Sequence, residues 1–208
     1  MLDCGLPFGE IMRRTNYKLP DIVLVTHEHK DHSKAVFELV RRGAIAYMTV
    51  GTARALDLRH NVILMEHGGF SHYGEIGIYA FNTQHDAAEP CGFLIDDGDD
   101  CVLYATDTYY LRYTFRNLTK IMIEANYSKE ILQENVKAGI VPPVLMERLT
   151  ISHFSIENVL KFLKANDLSS VKEIWLCHLS RDNSDPKLFQ QMVEEATGKP
   201  TFIAGDDT

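Results

Sequence analysis

Apolar and polar positions follow two rhythms along the chain. Short apolar runs at Asp21–Val25, Ala44–Val50, Val62–Met65, Lys120–Ile123, Val171–Cys177 and Thr201–Ala204 predict strands. Ile76–Thr83 alternates in part, as a strand with one exposed face does. Ala35, Val36, Leu39 and Val40 keep helical spacing, which predicts a helix over Ser33–Arg42 closed by Gly43. Further helices are predicted at Gly51–Leu58, at Lys129–Lys137 before Gly139, at Ile156–Ala165 behind an N-cap at Ser155, and at Pro186–Ala196. His67–Gly74 reads as a Gly-rich turn. Cys91–Ile95 and Cys101–Ala105 flank the acidic connector Asp96–Asp100, which predicts a hairpin with a solvated tip. The connector lacks the ligand spacing and terminal Glu of a calcium loop. Hairpin and strand–helix stretches together predict a mixed α/β architecture of two sheets with helices outside, in a single domain over residues 1–208.

The chain has 208 residues, 45% of them hydrophobic and 24% charged, with a net charge of −8. That length buries a full core without disulfide staples. No apolar run approaches the ~18–20 residues of a membrane helix, and no signal-peptide pattern opens the sequence. Cys4, Cys91, Cys101 and Cys177 are scattered without a Cys-x-x-Cys pair, which predicts reduced thiols in a cytoplasmic protein. The acidic balance argues against gripping nucleic acid by charge alone. It leaves room for an enzyme whose bound cations supply the local positive field.

The chemistry concentrates after the first strand. Thr26-His27-Glu28-His29-Lys30-Asp31-His32 carries three His and one Asp in six residues. In a loop between strand and helix, His27 and His29 point the same way from an extended segment, and Asp31 and His32 turn in from the helix start. Imidazole and carboxylate are ligands for Zn, Mn and Fe. His85, Asp107 and His178 each follow a later predicted strand, and His153 precedes the Ser155 helix start. Each alone reads equally as a cap; together they place metal-type ligands at strand ends. His60, His67 and His72 read as solvated loop residues, and Asp3 as either a partner to a ligand or a cap.

The series His27-x-His29-x-Asp31-His32, His85, Asp107, His178 resembles that of the metallo-β-lactamase-fold hydrolases. Within them it is similar to the YycJ/WalJ-like exonucleases and their phage relatives. The stretches that carry this likeness are Leu2–Pro7, His85–Pro90, Tyr104–Thr108, Glu124–Tyr127 and His178-Leu179-Ser180-x-x-Asn183. The resemblance implies an α/β/β/α four-layer sandwich. The chain begins at the Leu-Asp-Cys-Gly stretch, so a sheet lacking its first N-terminal strands is expected.

The resemblance also implies two divalent metal ions, Zn or Mn. His27, His29 and His85 would hold one, and Asp31, His32 and His178 the other, with Asp107 bridging. Two such ions activate a shared water and stabilise phosphoryl charge. Asp31 would orient that water as well as ligate. His153 matches a substrate-side residue that donates a proton or binds phosphate, and Ser180 and Asn183 match substrate-side positions at the rim. His29 stands where oxidoreductases of similar fold carry Glu, which favours hydrolysis. The implied activity is phosphodiester hydrolysis, foremost on DNA as an exonuclease. A cyclic phosphodiesterase, a thioester or lactam hydrolase, and a non-catalytic metal-binding protein are the alternatives. Lys30, Lys34, Arg41, Arg42, Arg112 and Arg116 form either a phosphate track or solvated helix faces.

Overall fold

The computed structural model describes residues 1–205. In chain order the helices are α1 (Phe8–Arg14), α2 (Lys30–Ser33), α3 (Val36–Arg41), α4 (Val50–Ala55), α5 (Lys129–Lys137), α6 (Pro143–Ser152), α7 (Ile156–Ala165) and α8 (Pro186–Thr197). The strands are β1 (Ile22–Leu24), β2 (Ile45–Thr49), β3 (Val62–Met65), β4 (Phe70–Tyr73), β5 (Ile76–Asn82), β6 (Cys91–Asp96), β7 (Cys101–Ala105), β8 (Lys120–Glu124), β9 (Glu173–Cys177) and β10 (Thr201–Ile203). Among the described residues they form a sheet of order β1-β2-β3 and another of order β10-β9-β8-β7-β6-β5-β4. No described helix is long and apolar enough to cross a membrane. The chain clusters into two compact units. One comprises Met1–Tyr73, Ile78–Asn82 and Asp86–Phe93; the other comprises Gly74–Gly77, Thr83–His85 and the chain from Leu94 onward.

In the first unit β1, β2 and β3 pair in parallel. Val23, Leu24, Ala46, Tyr47 and Met48 are buried, as expected for strands covered on both faces. Val36, Leu39 and Val40 of α3 join this core. The predicted helix over Ser33–Arg42 is instead two helices. The Ala35 amide donates to the Cys4 carbonyl at 2.9 Å rather than into the helical ladder, so α2 ends and α3 starts afresh. The segment Met1–Gly5 lies along this junction. Asp3 N donates to Leu24 O and Cys4 N to His32 O. Gly5 is obligatory here, because a Cβ would stand 1.6 Å from the Asp31 carbonyl oxygen. The Gly-rich stretch His67–Gly74 contains β4 and is not simply a turn.

In the second unit β7, β8, β9 and β10 run parallel. Leu103, Ile121, Ile123, Ile174 and Leu176 are fully buried along them. Ser155 caps α7 by accepting from Asn158 N at 3.3 Å. Helix α6 starts from Pro142-Pro143 and ends at His153. Its Met146 and Leu149 pack on Tyr127, Leu132 and Val141. At the hairpin tip Asp100 takes Lys172 at 2.7 Å and Lys120 at 3.1 Å. The carboxyl is held well below the usual range, first by the hydrogen bond from Lys172 and then by Thr119 and Lys120.

Candidate metal centre

The first unit contributes the loop between β1 and α2. Thr26 and His27 are buried at the strand end, His29 is the residue before α2, and Asp31 and His32 sit in its first turn. His27 Nε2 and His29 Nδ1 lie 3.0 Å apart. Two imidazole nitrogens on a tetrahedral zinc with ~2.0–2.1 Å bonds would stand at a similar separation, roughly 3.3 Å. His32 Nδ1 donates to Asp3 Oδ2 at 2.8 Å. The Thr26 hydroxyl lies 3.0–3.1 Å from the Asp3 carboxylate and 3.0 Å from His27 Nδ1. That hydroxyl has one proton. Given to the carboxylate, it leaves the oxygen to accept from His27 Nδ1–H. Asp3 therefore partners two imidazoles, one directly and one through Thr26. Ser33 Oγ secures the loop by donating to the carbonyls of Glu28 and His29. The Asp31 carboxylate is 67% exposed, with Oδ2 3.7 Å from His32 Nε2.

The second unit contributes strand ends. Asp107 follows β7 and His178 follows β9, both with positive φ, 47° and 56°. Glu124 closes β8 and is fully buried. Its Oε2 accepts from Thr108 N at 3.0 Å and Phe154 N at 3.1 Å. Its Oε1 faces His153 Nδ1 at 2.7 Å and His178 Nδ1 at 2.8 Å. His178 Nδ1 also meets Asp107 Oδ1 at 2.9 Å, and His85 Nε2 meets Asp107 Oδ2 at 3.3 Å. Asp107, Glu124, His153 and His178 offer ligand-type atoms all within 4.8 Å of one another. His85 Nδ1 donates to the Ser152 carbonyl at 3.0 Å. Burial alone would push the His178 imidazole down. The adjoining Asp107 and Glu124 carboxylates outweigh it and raise the group to about 11. A cation taking this place displaces that proton.

The donor chemistry fits a metal. In His27, His32 and His85 the Nδ1 faces an oxygen, so the lone pair lies on Nε2, as metal-ligating histidines are usually oriented.

Sequence reasoning expected metal-type ligands on the loop after the first strand and at later strand ends; the structure puts His27, His29, Asp31 and His32 on one loop of the first unit, and His85, Asp107, His153 and His178 near one another in the second. Asp3 partners His32 and Thr26 rather than acting as a simple cap. Glu124 was singled out only as part of a motif; its signal was a carboxylate at a strand end, the same theme as Asp107. Asn183 is buried, its amide engaged by Asn135 at 3.0 Å and near Ser180 Oγ at 3.4 Å. Asn126 Nδ2 donates to the His178 carbonyl at 2.8 Å. His67 is not a solvated residue: its Nε2 meets the Pro90 carbonyl at 3.0 Å and its Nδ1 faces Asn82 at 3.4 Å. His60 and His72 are exposed. Arg41 and Arg42 are both turned to Glu38, a solvated helix face.

A family model described as a beta-lactamase superfamily domain matches residues 2–178. Exodeoxyribonuclease YycJ of Bacillus anthracis is 26% identical over 224 residues, covering 99% of this chain and 83% of the relative. Exodeoxyribonuclease WalJ of Streptococcus pneumoniae is 28% identical over 228 residues, covering 100% and 83%. Among solved structures, the metallo-beta-lactamase fold protein YhfI from Bacillus subtilis superposes with a TM-score of 0.72 at 15% identity. It covers 98% of this chain and 83% of that one.

Proposed function

The chain belongs to the beta-lactamase superfamily and is a hydrolase of the metallo-beta-lactamase fold, and on that premise we propose that it is a cytoplasmic DNA exonuclease working with two divalent metal ions, Zn or Mn, as one domain. In this reading His27, His29 and His85 would hold one ion, Asp31, His32 and His178 would hold the other, and Asp107 would serve both. The exodeoxyribonuclease names of two relatives, each matching nearly the whole chain, support DNA as substrate.

The observation that carries a phosphodiester reaction is the pairing of His153 with the buried Glu124. When bound, the ions supply an activated water and Lewis-acid stabilisation of phosphoryl charge. The chain's own groups do the rest. Asp31, the exposed carboxylate of the loop, orients the attacking water. Glu124 accepts from His153 Nδ1–H, so Nε2 is the nitrogen turned to substrate; in the imidazolium form, which carries a proton on both ring nitrogens, Nε2–H donates to the leaving oxygen or binds the phosphate. Asp3, Thr26 and the Ser152 carbonyl hold the ligand imidazoles in one tautomer. Ser180 lies on the substrate-side rim and Asn183 braces it.

The test is a metal panel on end-labelled single- and double-stranded DNA, with a cyclic phosphodiester and a generic diester as controls, run on wild type and His153→Ala. Progressive shortening of DNA from an end, restored by Mn or Zn, is expected. Loss of His153 should lower the rate ~10²–10⁴-fold, the range of a proton-transfer or phosphate contact, at unchanged metal content. Hydrolysis of the cyclic ester without DNA shortening would replace the exonuclease reading. Metal loss from His153→Ala would make it a ligand.

A further inference from the structure

A cleft of about 230 Å³ in the second unit is lined by the segment after Asp107 and by one face of α7. Tyr110, Arg112 and Tyr113 form one wall; Phe154, Lys161 and Phe162 form the other. Phe154 is the residue next to His153, and its amide donates to Glu124, so the cleft adjoins the proposed proton donor through the backbone. Three features set it apart. No Asp or Glu among the described residues lines it, although the chain carries a net charge of −8, whereas two cations do. Its aromatic wall is built in depth: Phe154 and Phe162 are nearly buried with ring centroids 6.5 Å apart, and Phe162 meets Phe115 at 6.2 Å. Above that floor Tyr110 is left 55% exposed, and the Arg112 guanidinium lies 5.3 Å from the Tyr113 ring centroid. The volume falls below the ~300–1,000 Å³ that encloses a drug-sized ligand, and suits one flat ring system.

We propose that this cleft receives an unpaired base of a single DNA strand, stacked on Tyr110, with the neighbouring phosphates met by Arg112 and Lys161. Rigid aromatic faces flanked by cations are how proteins hold single strands without reading sequence. A base within a duplex has its faces already stacked and cannot enter. The inference rests on the DNA reading above and adds a strand preference to it.

The experiment measures fluorescence anisotropy of a labelled phosphorothioate-linked oligo-dT on the full chain. The same strand carrying abasic positions and a matched duplex serve as further probes. Tyr110→Ala should weaken oligo-dT binding roughly 5- to 150-fold and should have little further effect on the abasic strand. Tyr17→Ala, another exposed tyrosine at 74%, is the control expected to change neither. Arg112→Ala with Lys161→Ala should reduce the slope of log affinity against log salt by about 1.4, two phosphates on a single strand. Equal loss by Tyr110→Ala on both strands, or none on either, overturns the stacking site. Tighter binding of the duplex than of oligo-dT does so as well. A wild-type chain that shortens DNA while Tyr110→Ala binds like it refutes the cleft alone. A wild-type chain that neither binds nor cleaves any DNA refutes the exonuclease reading together with it.

Discussion

Asp3 supports the His27–His32 loop without belonging to it, and a pair of substitutions separates its two tasks. Its side chain is only 8% exposed and accepts from Thr26 N at 2.8 Å, from the Thr26 hydroxyl and from His32 Nδ1. Asp3→Asn keeps an oxygen for Thr26 but turns an amide N–H toward His32 Nδ1. Donor then faces donor, so the imidazole proton moves to Nε2 and the lone pair on the ligand side is lost. Removing such a partner typically costs 10–100-fold in metal affinity, or about 1.4–2.7 kcal/mol. Stability should change little, because the Thr26 contacts survive and Asn tolerates the φ of 49° at this position as Asp does. Asp3→Ala leaves a buried amide and imidazole unanswered and adds backbone strain. Hydrogen bonds to a charged group are worth about 1.5–3 kcal/mol each, so a loss near 3 kcal/mol is expected, roughly 6–12 °C in melting temperature for a chain of this size. Competition of Zn or Mn against a chromophoric chelator gives the affinity, and thermal melting of metal-free protein gives the stability. The reasoning fails if Asp3→Asn binds both ions as tightly as wild type, or if it melts as low as Asp3→Ala.

Gly5→Ala should destabilise the first unit by at least the ~1–3 kcal/mol of an overpacked site, because its Cβ would displace the Asp31 carbonyl; chemical denaturation reads this, and metal affinity should fall with it. Asp107→Ala should lose one ion or both and nearly all turnover, whereas Asp96→Ala in the exposed hairpin tip should lose neither; elemental analysis that finds the two alike refutes the ligand assignment. Glu124→Gln should lower the maximal rate more than it raises KM, by releasing His153 from its set orientation. Rates on diesters of graded leaving-group quality check this, since a proton-donor role predicts the smallest effect on the best leaving group.

The motif His27–His32 was legible because strand, loop and helix start each have their own local signature and the His and Asp residues fall on them in order. Helix α5 and the Ser155 cap were legible for the same reason: their ends are written in Ser128, Gly139 and Ser155. Helices α1 and α6 were not. The first buries only Ile11, and the second has no clear apolar stripe and starts from two prolines, so neither shows the periodicity of a packed face. Strand β4 hides among glycines with an exposed Phe70. The break between α2 and α3 depends on the carbonyl of Cys4, thirty-one residues before the amide it takes. Glu124 escaped assignment for a related reason. Its importance lies in the four donors that converge on it from Thr108, His153, Phe154 and His178, and none of them is near it in sequence.

The left-handed backbone at Asp3, Asp107 and His178 restricts which residues can serve there at all. Most L-residues resist that conformation, while Asn, Asp and His are several-fold enriched in it. The two types found at these positions combine that tolerance with an atom able to ligate a cation or to accept from an imidazole N–H. Glutamate or cysteine would bring metal-binding chemistry to Asp107 or His178 but would meet a backbone penalty before coordinating anything. Glycine would relieve the backbone and remove the chemistry. It would also forfeit the contacts of Asp3 to Thr26 and His32 and the pairing of His178 with Asp107, so backbone relief and side-chain loss oppose each other at all three positions, and variants there should be screened for metal uptake as well as stability.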